Sequence, residues 1–330
     1  MANIIIDSYC NLKCPYCFAN DVIAAHKDYI SLDSFNHIMD FVLKSNDKRV
    51  GIIGGEPLLH PKFTDICEHI INKTPEDFIA VIYTNALLLD KYVKLISSSQ
   101  KFRLLVNVNS PSDQGEENYQ KLIKNLDELY FEYAFKHKVT LGLNLYKENQ
   151  DLNFFLSLVD RYKEFVKAVR VSVSIPWDKS KGAFYTFEKM IPLVKVLLKE
   201  LNQREVGVMF DCNKIPVCLI DKELAMLIFR SEQLSKKPYL STNRLSACSP
   251  VIDIDQRGNA IRCFALSEYL KVNIDDFNNL NELIEYFHSN IDKKFKTKPL
   301  EDCKDCEEFS TNLCYGGCLA FREDLFKKHG

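Results

Sequence analysis

No charge of one sign dominates this chain. Its 43 basic and 45 acidic residues leave a formal charge of -2, which gives no general attraction to nucleic acid or to an anionic membrane. Glycine and proline are sparse, 11 of each in 330 residues, and 46% of the residues are hydrophobic. That composition excludes a disordered or fibrous chain and suits a globular one with a sizeable core. No apolar run is long enough to span a bilayer, and Ile4, Ile5 and Ile6 pass directly into Asp7, so the N-terminus lacks the pattern of a secretory signal. A cytoplasmic protein is expected, with neither nucleic acid nor membrane among its partners.

Cysteine is the residue in excess, with twelve in the chain. In a reducing cytosol such a number points to metal or cluster ligation rather than to disulfides. Cys10, Cys14 and Cys17 crowd into eight residues, and eight more cysteines lie between Cys212 and Cys318. Two separate metal-binding regions are implied. Cys67, flanked by Ile66, Ile70 and Ile71, has no such company and reads as core packing.

Short β-branched runs alternate with helical patterns through the first two-thirds of the chain, which is the rhythm of an α/β fold built on a parallel sheet. Strands are expected at Ile4 to Asp7, Val50 to Ile53, Ala80 to Tyr83, Phe102 to Val108, Val139 to Leu145 and Val169 to Ile175, with a further one at Val206 to Phe210. The clearest helix starts after Ser31, a suitable N-cap, and gathers Phe35, Ile38, Met39, Phe41 and Val42 on one face. Beyond Asp211 the alternation gives way to cysteine-bearing turns and two short helical stretches, so a boundary is placed there, dividing the chain into 1–210 and 211–330. Phe277 to Phe295 reads as a solvated amphipathic helix. Folds of this kind build active sites from loops at the carboxyl ends of the strands. The cysteine triplet follows the first strand, Gly54-Gly55-Glu56-Pro57 the second and Thr84-Asn85 the third, while Asn107 and Asn109 close the fourth.

Three thiolates so close together are unlike a zinc site made of two separated pairs, although a zinc knuckle with a distant fourth ligand, or three buried cysteines, fits the spacing too. Cubane clusters take four thiolates, so three would leave one iron open for a substrate or cofactor. With the Gly-Gly-Glu-Pro segment one unit later, the chain resembles the radical S-adenosylmethionine (SAM) superfamily, whose hallmark is a CxxxCxxC loop after the first strand of a partial (β/α)6 TIM-like barrel. The resemblance covers residues 1 to about 210. It implies that Cys10, Cys14 and Cys17 hold a [4Fe-4S] cluster, that Tyr16 packs near the adenine of SAM, and that Gly54, Gly55, Glu56 and Pro57 bind its methionine amino group. Asn85 lies where the family often has a TNG sequence, with Ala86 in place of the glycine. Asn107 and Asn109 correspond to polar residues that contact the ribose and carboxylate, and each reads equally well as a strand-end residue capping a turn. No arginine follows the fourth strand, where relatives often hold the carboxylate.

The C-terminal pattern is Cys248-x9-Gly258-x4-Cys263, then Cys303-x2-Cys306-x7-Cys314-x3-Cys318. It resembles the SPASM extension, which carries auxiliary [4Fe-4S] clusters; one or two are implied, two by the count of thiolates. The third gap is seven residues instead of the family's five, and nothing after Cys318 supplies the family's last cysteine. By the family's wiring Cys248, Cys263 and Cys318 serve one cluster and Cys303, Cys306 and Cys314 the other. Cys212 or Cys218 completes either, or the two are a structural thiol pair or buried small hydrophobes; zinc is the rival metal for the six matched cysteines.

The resemblance implies reductive cleavage of SAM to methionine and a 5'-deoxyadenosyl radical that takes hydrogen from a substrate. SPASM relatives mostly modify peptides and proteins, so a ribosomally made peptide is expected, oxidised or cross-linked through a thioether or carbon–carbon bond. Any leader would be presented by a separate protein, and a flavodoxin or ferredoxin would supply electrons. The sulfatase-maturing branch has an aspartate base after the cysteine equivalent to Cys263, where this chain has Phe264, so that branch is disfavoured. The alternatives are a small-molecule dehydrogenase acting on a substrate such as an aminosugar and, from another class, a non-catalytic binding module stapled by zinc. Trp177, the single tryptophan, lines the active-site mouth or covers core.

Overall fold

The structure, a computed structural model, describes residues 1–17, 19, 27–133, 135, 138–174, 182–211, 215–236, 251–267 and 269–326. Cys212, Cys248, Ile175 and Trp177 lie outside these residues, so the readings of them stay as sequence expectations. The chain groups into two compact units, Met1–Thr140 with Pro250–Phe287, and Leu141–Ser249 with His288–Gly330.

In the first unit β1 (Ala2–Ile5), β2 (Arg49–Ile53), β3 (Ile79–Thr84) and β4 (Phe102–Asn107) lie side by side in that order, each pair parallel. Between them run α1 (Leu32–Leu43) and α2 (Phe63–Lys73). Ser31 caps α1 by accepting the Ser34 N–H, and Phe35, Ile38, Met39, Phe41 and Val42 are buried as the pattern predicts. Cys67 is buried on α2 beside Ile66 and Ile70, again as packing.

The region after Asp211 is more regular than its sequence suggests. β8 (Ile252–Ile254) pairs parallel to β1, and β9 (Asn259–Ile261) and β10 (Lys271–Asn273) continue antiparallel from it. Asn3 of β1 donates its side-chain amide to buried Asp253 of β8 at 2.7 Å, which locks this edge. Gly258 makes the β8–β9 turn at φ +77°, a conformation glycine adopts without strain. Nor is Phe277 to Phe295 a solvated helix: a helix over Leu280–Phe287, a π turn over His288–Asp292 and a short helix over Lys293–Thr297 bury Leu280, Leu283, Phe287, Ile291 and Phe295.

In the second unit β5 (Val139–Leu145), which enters it at Leu141, β6 (Ala168–Val173) and β7 (Gly207–Phe210) are parallel neighbours. A 22-residue helix, Gly182–Gln203, precedes β7, and a helix over Lys222–Ser235 packs on it so closely that a Cβ at Gly207 would stand 2.2 Å from the Ser235 nitrogen. Among the described residues no helix is long and apolar enough to cross a membrane.

Candidate active site

The loops leaving β1 and β2 are stitched together by backbone. The Gly55 N–H donates to the Asp7 carbonyl at 3.2 Å and the Glu56 N–H to the Tyr9 carbonyl at 2.7 Å, so the glycine turn lies against the start of the cysteine loop. A Cβ at Gly55 would fall 2.2 Å from the Tyr9 carbonyl oxygen and 3.0 Å from the Cys10 nitrogen, and one at Gly54 would fall 2.3 Å from the Asp7 carboxylate. Only glycine permits this approach. Cys10 is exposed, Cys14 and Cys17 are half-buried, and the Cys17 N–H donates to the Cys14 carbonyl at 3.1 Å.

Glu56 is buried, and its carboxylate is taken up by the protein. Its oxygens accept the Leu58 N–H at 3.2 Å, the Thr84 hydroxyl at 2.6 Å and the Asn85 N–H at 2.7 Å. Pro57 starts the short turn Pro57–Leu59 that Glu56 caps. Asn85 in turn donates its side-chain amide to Asn11 in the cysteine loop at 2.7 Å and accepts the Leu87 N–H at 3.0 Å. Thr84 and Asn85 therefore clamp the glycine turn and the cysteine loop to the end of β3. Ala86, at the position of the family's glycine, adopts φ +60° and is pinned there by Thr84 and Asn125.

From β4, Asn109 reaches the same loop. Its amide donates to the Cys14 sulfur at 3.5 Å, and its carbonyl accepts the Tyr16 hydroxyl. Asn107, at the strand's last position, has a buried side-chain oxygen without a protein partner. The structure thus brings Cys10, Cys14, Cys17, Tyr16, Gly54, Gly55, Glu56, Pro57, Asn85 and Asn109 together at the carboxyl ends of β1 to β4, with Asn107 at the end of β4.

Asp7 and Asn11 were not singled out by the sequence. Asp7 follows three isoleucines and is fully buried, one oxygen accepting the Gly55 N–H at 2.9 Å and the other without a partner. Burial, and after it the charge of Glu56, pushes Asp7 up to about 8, while burial pushes Glu56 up to about 7 against the pull of its three donors. Burial likewise raises Cys10 and Cys14, the latter to about 11, so these thiols stay protonated until a metal displaces the proton. One oxygen of Asp7 and the Asn107 oxygen are acceptors that the protein leaves unpartnered, which suits a ligand bearing an ammonium and hydroxyl groups.

A family model of the radical SAM superfamily matches residues 4–148, the stretch that carries all these groups. Over this stretch the chain is similar to the superfamily. It is 31% identical over 101 residues to a probable GTP 3',8-cyclase of Methanococcus maripaludis, a match covering 31% of this chain and 33% of that one, so it spans about a third of that relative's length. To the cysteine-type anaerobic sulfatase-maturating enzyme of Clostridium perfringens it is 24% identical over 344 residues, across 96% of this chain and 87% of the other. Among solved structures, native anSMEcpe with bound AdoMet and the Kp18Cys peptide superposes with a TM-score of 0.65 at 20% identity, covering 96% of this chain and 88% of that one. That likeness is one of fold: the expected α/β arrangement of parallel strands, with a cysteine-rich region toward the C-terminus of this chain.

Proposed function

We propose that this radical SAM chain reductively cleaves SAM at the Cys10, Cys14 and Cys17 site and removes hydrogen from a peptide or protein substrate, leaving it oxidised or cross-linked. The observation that carries the reading is the contact of the glycine turn with the cysteine loop, clamped by Glu56, Thr84 and Asn85. The cluster and SAM supply the electron and the carbon radical. The chain's own part is to hold them. Cys10, Cys14 and Cys17 would hold the cluster. The half-exposed Gly54 and Gly55 backbone, with buried Asp7 and Glu56 next to it, would receive the amino group, and Asn107 and Asn109 would meet the hydroxyls. Tyr16 would pack beside the adenine.

A peptide substrate is supported by the full-length similarity to a maturase and by the fold shared with a peptide-bound enzyme. Phe264, which begins a short turn after Cys263, has no titratable group, and for that reason sulfatase maturation itself is not the proposed reaction. We place the catalytic core at 1–210 and the auxiliary-cluster region at 211–330, with a flavodoxin or ferredoxin as electron donor. Anaerobically reconstituted protein with dithionite and SAM should release 5'-deoxyadenosine, and the triple variant Cys10→Ala, Cys14→Ala, Cys17→Ala should not. Release by the triple variant, or colourless protein with stoichiometric zinc, would overturn this function; turnover of an aminosugar but of no peptide would overturn its substrate class.

A further inference from the structure

The second unit holds a thiol group of its own. Cys303, Cys306 and Cys314 lie on one folded segment: the Cys306 N–H donates to the Cys303 carbonyl at 3.3 Å, and both the Leu313 and the Cys314 N–H donate to the Glu308 carbonyl, at 2.8 and 3.0 Å. Asn312, at φ +60°, reverses the chain so that Cys314 returns toward Cys303, and Gly316, at φ +80°, passes the Cys303 sulfur so closely that a Cβ there would stand 3.5 Å from it.

Cys218 comes to this group from elsewhere in the same unit, on the short turn Val217–Leu219 after Pro216. Its sulfur is an electrostatic neighbour of Cys314 and Cys306, and Cys303 is a neighbour of Cys314, Cys306 and Cys218. Cys303 and Cys314 are buried, Cys306 is half-buried and Cys218 is exposed. The sulfurs do not converge on one point, since among the described residues no three His, Cys, Asp or Glu side chains are placed to share a single metal ion. A cubane asks for less convergence than a zinc ion, because each thiolate bonds a different iron.

We propose that Cys218 is the fourth thiolate, with Cys303, Cys306 and Cys314, of a [4Fe-4S] cluster whose every iron is bound by protein sulfur. Such a cluster has no open iron and does not bind substrate. The inference rests on the reading of the chain as an auxiliary-cluster radical SAM enzyme and assigns the ligands of one of those clusters.

The test is iron content and electron paramagnetic resonance of the full chain in the Cys10→Ala, Cys14→Ala, Cys17→Ala background, where only auxiliary iron remains. Adding Cys218→Ala should remove about four irons per chain, or about one with the signal of a three-iron cluster, and Cys303→Ala should do the same. Cys218→Ser, which keeps an oxygen ligand, should retain iron with a shifted signal, and covers the case in which the alanine variant is poorly folded. Unchanged iron and spectrum in Cys218→Ala and Cys218→Ser, with loss in Cys303→Ala, would overturn the assignment, as would background protein devoid of iron. Failure of the core reading is seen separately, as absence of SAM cleavage by the unmodified chain.

Discussion

Glu56 accepts the Asn85 N–H at 2.7 Å while Thr84, the neighbour of Asn85, gives its hydroxyl to the other oxygen at 2.6 Å. The glutamate of the glycine turn is therefore a structural tie to β3 as well as a charge beneath the expected amino-group site. Glu56→Gln preserves size but puts an NH2 where only donors point, against either the Leu58 or the Asn85 N–H. Leaving such a buried donor unsatisfied costs about 1–3 kcal/mol. Denaturant unfolding of the apoprotein should show that loss, accompanied by a fall in SAM cleavage. A variant as stable as the parent would mean that the three hydrogen bonds do not hold the turn.

Ala86 offers a gain rather than a loss. A left-handed conformation at a residue with a Cβ is strained, and φ here is +60°. Ala86→Gly should stabilise the protein by about 1 kcal/mol, the relief of strain exceeding the added freedom of the unfolded chain. The midpoint of urea unfolding, at unchanged slope, reports it. A lower midpoint would show that the strain is absent.

Much of this site was legible in the sequence, for identifiable reasons. The strands β1 to β7 were found because runs such as Ile4 to Ile6 and Ala80 to Tyr83 are β-branched and bounded by polar residues, and the loops after them carry glycines and cysteines that no core needs. What the linear pattern does not hold is pairing between distant loops. Asn11 looks like any polar loop residue until Asn85 is seen to bond it, and Asp7 looks like the end of a strand until its burial is seen. The strands β8 to β10 are three residues each, too short for alternation to register, and become strands because β1 offers β8 a free edge. The linear pattern of Phe277 to Phe295 shows an amphipathic helix, but a charged face reveals neither the π turn that divides it nor that the opposite face is covered.

Asp7 makes stability depend on pH. Its carboxyl, ordinarily near 3.8, is raised to about 8 in the folded chain, so the folded state holds the proton more tightly than the unfolded one. Stability contributed on the acid side is then lost as pH rises from about 4 to about 8. Asp7→Asn cannot ionise and should flatten this slope. Compared by unfolding of the apoprotein at about pH 5.5 and about pH 8.5, the variant should gain on the parent at the higher value. Parallel pH profiles for the two proteins would contradict a buried proton at Asp7.

The close approach of the two loops leaves no room at Gly55. Gly55→Ala brings a methyl group against the Tyr9 carbonyl, which is backbone and cannot rotate away, so the cysteine loop must move from the glycine turn. Displacements of that size in an active site lower turnover on the order of a hundredfold. Release of 5'-deoxyadenosine should fall accordingly while the iron content of the second unit is unchanged. Full activity would show that the contact is not needed for SAM cleavage.

Asn109 joins two residues of the expected site, donating to the Cys14 sulfur and accepting from Tyr16. A hydrogen bond to a cluster sulfur disperses the negative charge that reduction adds, and so raises the reduction potential. Asn109→Ala removes the donor and should make the proposed cluster at Cys10, Cys14 and Cys17 harder to reduce, with a more negative midpoint in a potentiometric titration without SAM. Tyr16→Phe deletes only the bond to the Asn109 oxygen and leaves the donor facing Cys14, so its midpoint should move less. Equal shifts in the two variants would place the effect in solvent access to the loop, and no shift in Asn109→Ala would show that its amide does not bond the sulfur once iron is bound.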